Sequence, residues 1–149
     1  MINPDFNDLL LAFNAAEVRY LVVGAYAVTF HAQPRFTKDL DLWVEASPEN
    51  AAKVHAALTA FGAPLADVTP GDLANEDMVY QIGVAPNRID ILMGVSGLGF
   101  SEAWPQRAES TYGECPIHVI SRQDLIRNKR AAGRPQDLID LRALGDDIE

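Results

Sequence analysis

With 149 residues, 48% of them hydrophobic and 22% charged, the chain has the size and composition of one globular domain rather than of a disordered chain. Twelve Lys and Arg against twenty-one Asp and Glu leave a net charge of −9, which repels polyanions and argues against broad, sequence-blind nucleic-acid binding. Cys115 is the only cysteine, so an internal disulfide and a thiolate zinc site are both excluded.

The N-terminal stretch MINPDFNDLL has no basic region ahead of an apolar one, so no secretory leader is expected. The longest apolar run, from Tyr20 to Ala32, is too short to span a bilayer. A single cytoplasmic domain over 1–149, without membrane attachment, is the expectation.

Asn3 followed by Pro4 starts a helix, and Phe6, Leu9, Leu10 and Phe13 carry it at helical spacing to about Ala16. Arg19 to Gly24 reads as a strand. Its continuous Leu21-Val22-Val23 run fits a strand covered on both faces. A helix over Ala25 to Ala32 follows, ended by Pro34, and Lys38 to Glu45 reads as the next strand. Ser47 and Pro48 start a helix that Gly62 closes. From Pro64 to Glu76 the pattern indicates a loop with a turn at Pro70-Gly71.

Met78 to Val84 and Arg88 to Met93 read as two strands of a hairpin. Ser101 to about Glu109 reads as a short helix around Trp104, Gly113 as a turn, and Ile117 to Ile120 as a strand. Ser121 and Asp124 resemble a capping box opening a helix to about Ala132. Gly133 ends that helix, and Pro135 opens a last one with Leu138, Leu141 and Leu144 along its apolar stripe. The alternation predicts an α/β (α+β) domain with a mixed sheet flanked by helices.

The chemistry is concentrated between Tyr20 and Glu45. Side chains alternate along a strand, so Asp39 and Asp41 share one face while Leu40 and Leu42 face the core. Two adjacent ionised carboxylates disfavour each other unless a cation or shared proton relieves them. A pair of divalent ions roughly 3.5–4 Å apart would do so and would clamp a phosphoryl group. Asp147 and Glu149 match the same spacing, but there a solvated tail explains them; the pair at Asp39 sits in an otherwise apolar strand. Gly24 ends a buried strand just before a helix, where free N–H groups and the helix dipole favour an anion.

Val23-Gly24-Ala25, then thirteen residues, then Asp39-Leu40-Asp41-Leu42, resembles the signature of the nucleotidyltransferase superfamily that includes DNA polymerase β. The Arg35-Phe36-Thr37-Lys38 run and the late Lys129, Arg134 and Asp137 resemble its minimal and abortive-infection-type bacterial members. The resemblance implies transfer of an NMP unit, AMP first among them, from an NTP to a hydroxyl of RNA, protein or a small molecule. It implies Mg²⁺ or Mn²⁺ held by Asp39, Asp41 and Asp90, with Asp90 also drawing the acceptor proton. Nucleotide contacts would come from Gly24, Ala25, Arg35, Thr37, Lys38, Lys129 and Arg134.

Ala25 departs from the family pattern, because a serine there would add a hydroxyl to the triphosphate contacts. A second reading is therefore a weakly active or inactive partner-binding protein on the same fold, for example in a toxin–antitoxin pair. A third, a metal-dependent phosphohydrolase, lacks a water-activating His cluster: His31, His55 and His118 show no ligand spacing. Asp90 could instead be a hairpin residue paired with Arg88 or Lys38. Five of the twelve basic residues lie between Arg122 and Arg134, a cationic patch suited to a triphosphate. Trp43 and Tyr26 could contact nucleotide, although packing is the simpler role for Trp43, and Trp104 reads as core.

Overall fold

Local signals set the first helix. Asn3 Oδ1 accepts hydrogen bonds from the amides of Asp5 and Phe6 at 2.9 and 3.3 Å, and Pro4 begins α1 (Pro4–Ala15). In the computed structural model, which describes residues 3–32, 39–83 and 88–145, α1 leads into β1 (Tyr20–Val23), α2 (Gly24–His31) and β2 (Leu40–Val44). Ser47 Oγ caps α3 (Pro48–Phe61) at Asn50 N, 3.1 Å. The 64–76 segment contains one turn of 3₁₀ helix, Asp72–Ala74, whose Leu73 is fully buried.

β3 (Val79–Ile82) and β4 (Ile89–Leu92) form the expected antiparallel pair. The expected helix over Ser101–Glu109 is corrected. It is a four-residue α4 (Phe100–Ala103) with one 3₁₀ turn, Trp104–Gln106, and the chain then becomes β5 (Ala108–Tyr112). β5 pairs with β6 (Cys115–Val119) through a two-residue loop, Gly113-Glu114. Gly113 has φ +63, a value that suits glycine at the first position of such a loop. The chain finishes in α5 (Arg122–Ala132) and α6 (Pro135–Ala143).

Among the described residues there are thus six α-helices and one six-stranded mixed sheet, ordered β3-β4-β2-β1-β6-β5. β1 runs antiparallel to β2 and parallel to β6, and β2 runs parallel to β4. All four residues of β1 are buried, as expected for a strand covered on both faces. Leu10 of α1 and Tyr26 of α2 lie against Val22 and Leu40, on the face opposite Asp41. α3 packs on α1, while α5 borders the face of Asp41 and carries α6. Asn50 ties α3 to the sheet: its Oδ1 accepts from Arg19 N, and its Nδ2 donates to the carbonyls of Arg19 and Glu45. No helix among the described residues is long and apolar enough to cross a membrane.

Candidate active site

Strand register assembles the acidic residues. β1 places Val23 opposite Asp41, and β2 places Asp41 beside Asp90, so Val23, Asp41 and Asp90 lie in line across three neighbouring strands, with Gly24 the next residue along the chain. Asp39 lies one step before β2 and projects to the same side as Asp41. Gly24 has φ +66, and a Cβ there would lie 2.1 Å from Asp41 Oδ2. The glycine is therefore required twice, by its backbone and by the carboxylate it admits. It also opens α2, whose N-cap residue Val23 offers no side chain to the first N–H groups. Those amides remain available to an anion.

Arg88 enters this acidic group. Its Nη2 lies 3.2 Å from Asp39 Oδ2 and its Nε 3.1 Å from Asp90 Oδ1. Asp39 Oδ1 and Asp90 Oδ1 are buried and accept no hydrogen bond among the described residues. Burial raises the Asp41 carboxyl from an ordinary 3.8 to about 6, reinforced by the charge of Asp90, a hydrogen bond to it and the charge of Asp39; Arg88 opposes the rise. Three crowded oxygen-donor side chains with two unfilled buried lone-pair sites fit a hard divalent cation such as Mg²⁺ or Mn²⁺. As they stand, no three acidic, His or Cys side chains among the described residues converge on one ion-sized point, and the Arg88 guanidinium sits between Asp39 and Asp90.

Opposite the acids lie Lys129 and Arg134. A cavity of about 300 Å³ is bounded by Gly24, Asp41, Leu92, Ser96, Lys129 and Arg134. Lys129 is 5% exposed, with Nζ 3.1 Å from Asp137 Oδ1 and 3.0 Å from Asp140 Oδ2. Asp137 also accepts from Arg134 N at 3.1 Å and from Arg134 Nε at 2.8 Å. Burial pushes the Asp137 carboxyl up, but the hydrogen bonds from Arg134 and Lys129 outweigh it and hold the group low. The Arg134 guanidinium is raised by its bonds and charge pairing with Asp137, with a contribution from Asp41. The basic pair is thus fixed by carboxylates behind it while lining the Asp41 cavity.

The structure brings Gly24, Asp41, Asp90, Lys129 and Arg134 together, with Asp39 at the edge through Arg88; Ala25 follows Gly24 in the first turn of α2. Arg35, Thr37 and Lys38 lie outside the described residues. Trp43 is fully buried and packs edge-on against Phe100, so packing is its role. Tyr26 meets Phe6 and Tyr112 edge-on and lines a cavity on the opposite face of the sheet, away from Asp41. Trp104 is half-buried between Phe100 and the Arg107 guanidinium, 3.9 Å from its ring centroid.

His31 contacts the Ile120 carbonyl, His55 the Val68 carbonyl and His118 the Glu109 carboxylate. The β4–α4 loop residues Gly94 to Ser96 line the cavity without having been foreseen, as does Asn128, whose Nδ2 donates to Ser96 O. The only sequence signal for that loop is Gly94 closing the run after Asp90.

No protein-family profile matches the sequence. No curated protein matches it either. Solved structures do. A lincomycin-bound lincosamide antibiotic adenylyltransferase, LnuA, superposes with TM-score 0.60 at 16% identity, over 97% of this chain and 97% of that one. The antibiotic-resistance factor ANT(2'')-Ia gives 0.63 at 14% identity, over 94% of this chain and 80% of that one. A Thermotoga maritima protein assigned as a nucleotidyltransferase gives 0.61 at 14% identity, over 95% and 93% of the two chains. The chain has the fold of the nucleotidyltransferase superfamily.

Proposed function

We propose that the protein is a nucleotidyltransferase that moves an NMP unit, AMP first among them, from an NTP to a hydroxyl acceptor and releases pyrophosphate. The observation that carries this reading is the register that sets Asp41 beside Asp90 and opposite Val23, which brings Gly24 against the Asp41 carboxylate, with Asp39 adjoining and the basic pair Lys129 and Arg134 across one cavity. The adenylyltransferase neighbours support adenylyl as the transferred group, since one is bound to lincomycin and ANT(2'') -Ia is known with adenylyl-2''-tobramycin.

In the reaction, the acceptor oxygen forms a bond to the α-phosphorus, and the bond from that phosphorus to the bridging oxygen breaks. Pyrophosphate leaves with the electron pair. Asp90, the most buried of the three carboxylates, takes the acceptor proton. The open amides of Gly24 and Ala25 face the phosphates, and Lys129 and Arg134 offset their charge. Asp39, Asp41 and Asp90 would hold Mg²⁺ or Mn²⁺, which supplies Lewis-acid neutralisation of the phosphoryl oxygens. Positioning and charge provide most of the acceleration.

Asp39→Asn and Asp41→Asn should each abolish nucleotide transfer, at least about a hundredfold, with circular dichroism unchanged. The assay is label transfer from radioactive NTPs in cell extract, and full turnover in either variant would sink the proposal. A second reading, a partner-binding protein on the same fold, draws on Ala25, which offers no hydroxyl, and on Leu138 and Ile139, 43% and 57% exposed on α6. Calorimetry with Mg-ATP separates the two: absence of binding at millimolar nucleotide would favour the partner role.

A further inference from the structure

We propose that Arg88 is an internal counter-cation that competes with the divalent metal for Asp39 and Asp90, so that metal entry requires its displacement. The inference rests on the metal-dependent reading above and concerns how that site is held when no metal is bound.

The position follows from the sheet. Arg88 lies immediately before β4, and its carbonyl accepts from Leu40 N at 3.0 Å, locking it beside the entry of β2. Asp39 precedes β2 by one residue and Asp90 follows Arg88 by two, so the parallel pairing brings all three to the same end of the two strands. The guanidinium spans them at 3.2 and 3.1 Å. A guanidinium keeps its proton at any physiological pH, so this cation can leave only by moving.

Two features make that movement feasible. The Arg88 side chain is 36% exposed, giving it solvent to swing into. Its contact with Asp90 is a charge pair without hydrogen-bond alignment, for Nε and Oδ1 are both left without a hydrogen-bond partner among the described residues. It therefore lacks the directional hold of a bidentate Arg–carboxylate fork. A single positive charge among three carboxylates also leaves the group under-neutralised, which a doubly charged ion would correct. Competition of this kind lowers apparent metal affinity by the fraction of molecules in which Arg88 is away.

The test is Mn²⁺ binding, read by electron paramagnetic resonance of the free ion, in wild type, Arg88→Gln, Arg88→Lys and Arg134→Gln. Arg88→Gln should bind Mn²⁺ at least about tenfold more tightly than wild type, with Arg88→Lys in between. Arg134→Gln, which removes a charge outside the acidic group, should change affinity much less. In EDTA, Arg88→Gln should also melt lower than wild type at pH 8, and Mn²⁺ should restore it. Should Arg88→Gln not fold, the Arg88→Lys comparison decides alone. Equal or weaker Mn²⁺ binding without Arg88, or an equal gain in Arg134→Gln, overturns the proposal. If wild type still binds Mn²⁺ and Asp41→Asn does not, the functional reading survives that failure. Absence of Mn²⁺ binding in both wild type and Arg88→Gln would remove the metal reading and this inference together.

Discussion

Asp41 gathers three unfavourable effects: burial, the neighbouring Asp90 and the neighbouring Asp39. Its carboxyl is raised from 3.8 to about 6, so the folded protein binds this proton more tightly than the unfolded chain does. Below pH 3.8 both states are protonated and nothing is lost. As pH rises through 6 the folded state must ionise a disfavoured group, at a cost of about 3 kcal/mol if the whole shift is realised. Asp41→Asn should therefore stabilise the metal-free protein at pH 7–8 and lose that advantage near pH 4, as urea midpoints across pH will report. Much of this was legible in the sequence, because Asp39-Leu40-Asp41-Leu42 in an apolar strand can point only one way. The Arg88 bridge was legible only as one of two possible partners for Asp90, since choosing between Arg88 and Lys38 needs the register of two strands far apart in the chain.

At the scale of elements, the α5–α6 corner shows how a basic pair can be both structural and available. Lys129 on α5 is fixed by Asp137 and Asp140 on α6, and Arg134 at the corner shares Asp137. Lys129→Met would leave two buried carboxylates short of a cation and should cost about 3–5 kcal/mol in chemical denaturation. Adding Asp137→Asn and Asp140→Asn to it should recover most of that loss. The family resemblance named Lys129, Arg134 and Asp137 together but not the contacts that join them, because Asp137 acts through a cap and an inter-helix contact that periodicity does not encode.

The helices themselves were readable from Asn3-Pro4, Ser47-Pro48, Ser121 and Pro135, where caps mark their starts. β5 was not. Ala108 to Tyr112 contains helix formers, continues from a true helical turn and lies at the sheet edge, where half of each strand face is solvated and alternation is faint. The informative residue was Gly113 as the first position of a two-residue loop.

Across the whole molecule the two halves of the candidate site come from different stretches of chain. Gly24 to Asp90 supply the acids through β1, β2 and β4, whereas Lys129 and Arg134 arrive only with α5 and α6. The strand contact joining them is β1 with β6, pairing Val22 with Val119, roughly a hundred residues apart. Closing so long a loop carries a large entropic cost, paid late if the nearer pairings form first. Pulse-labelled hydrogen exchange during refolding should show amides of β1, β2 and β4 protected before those of β6 and α5; simultaneous protection would contradict this order. On that schedule an intermediate exists in which the carboxylates are already clustered while Lys129 and Arg134 are still remote. Refolding should then quicken as pH falls toward 6, where Asp41 takes up its proton and the cluster repels itself less before Lys129 and Arg134 reach it.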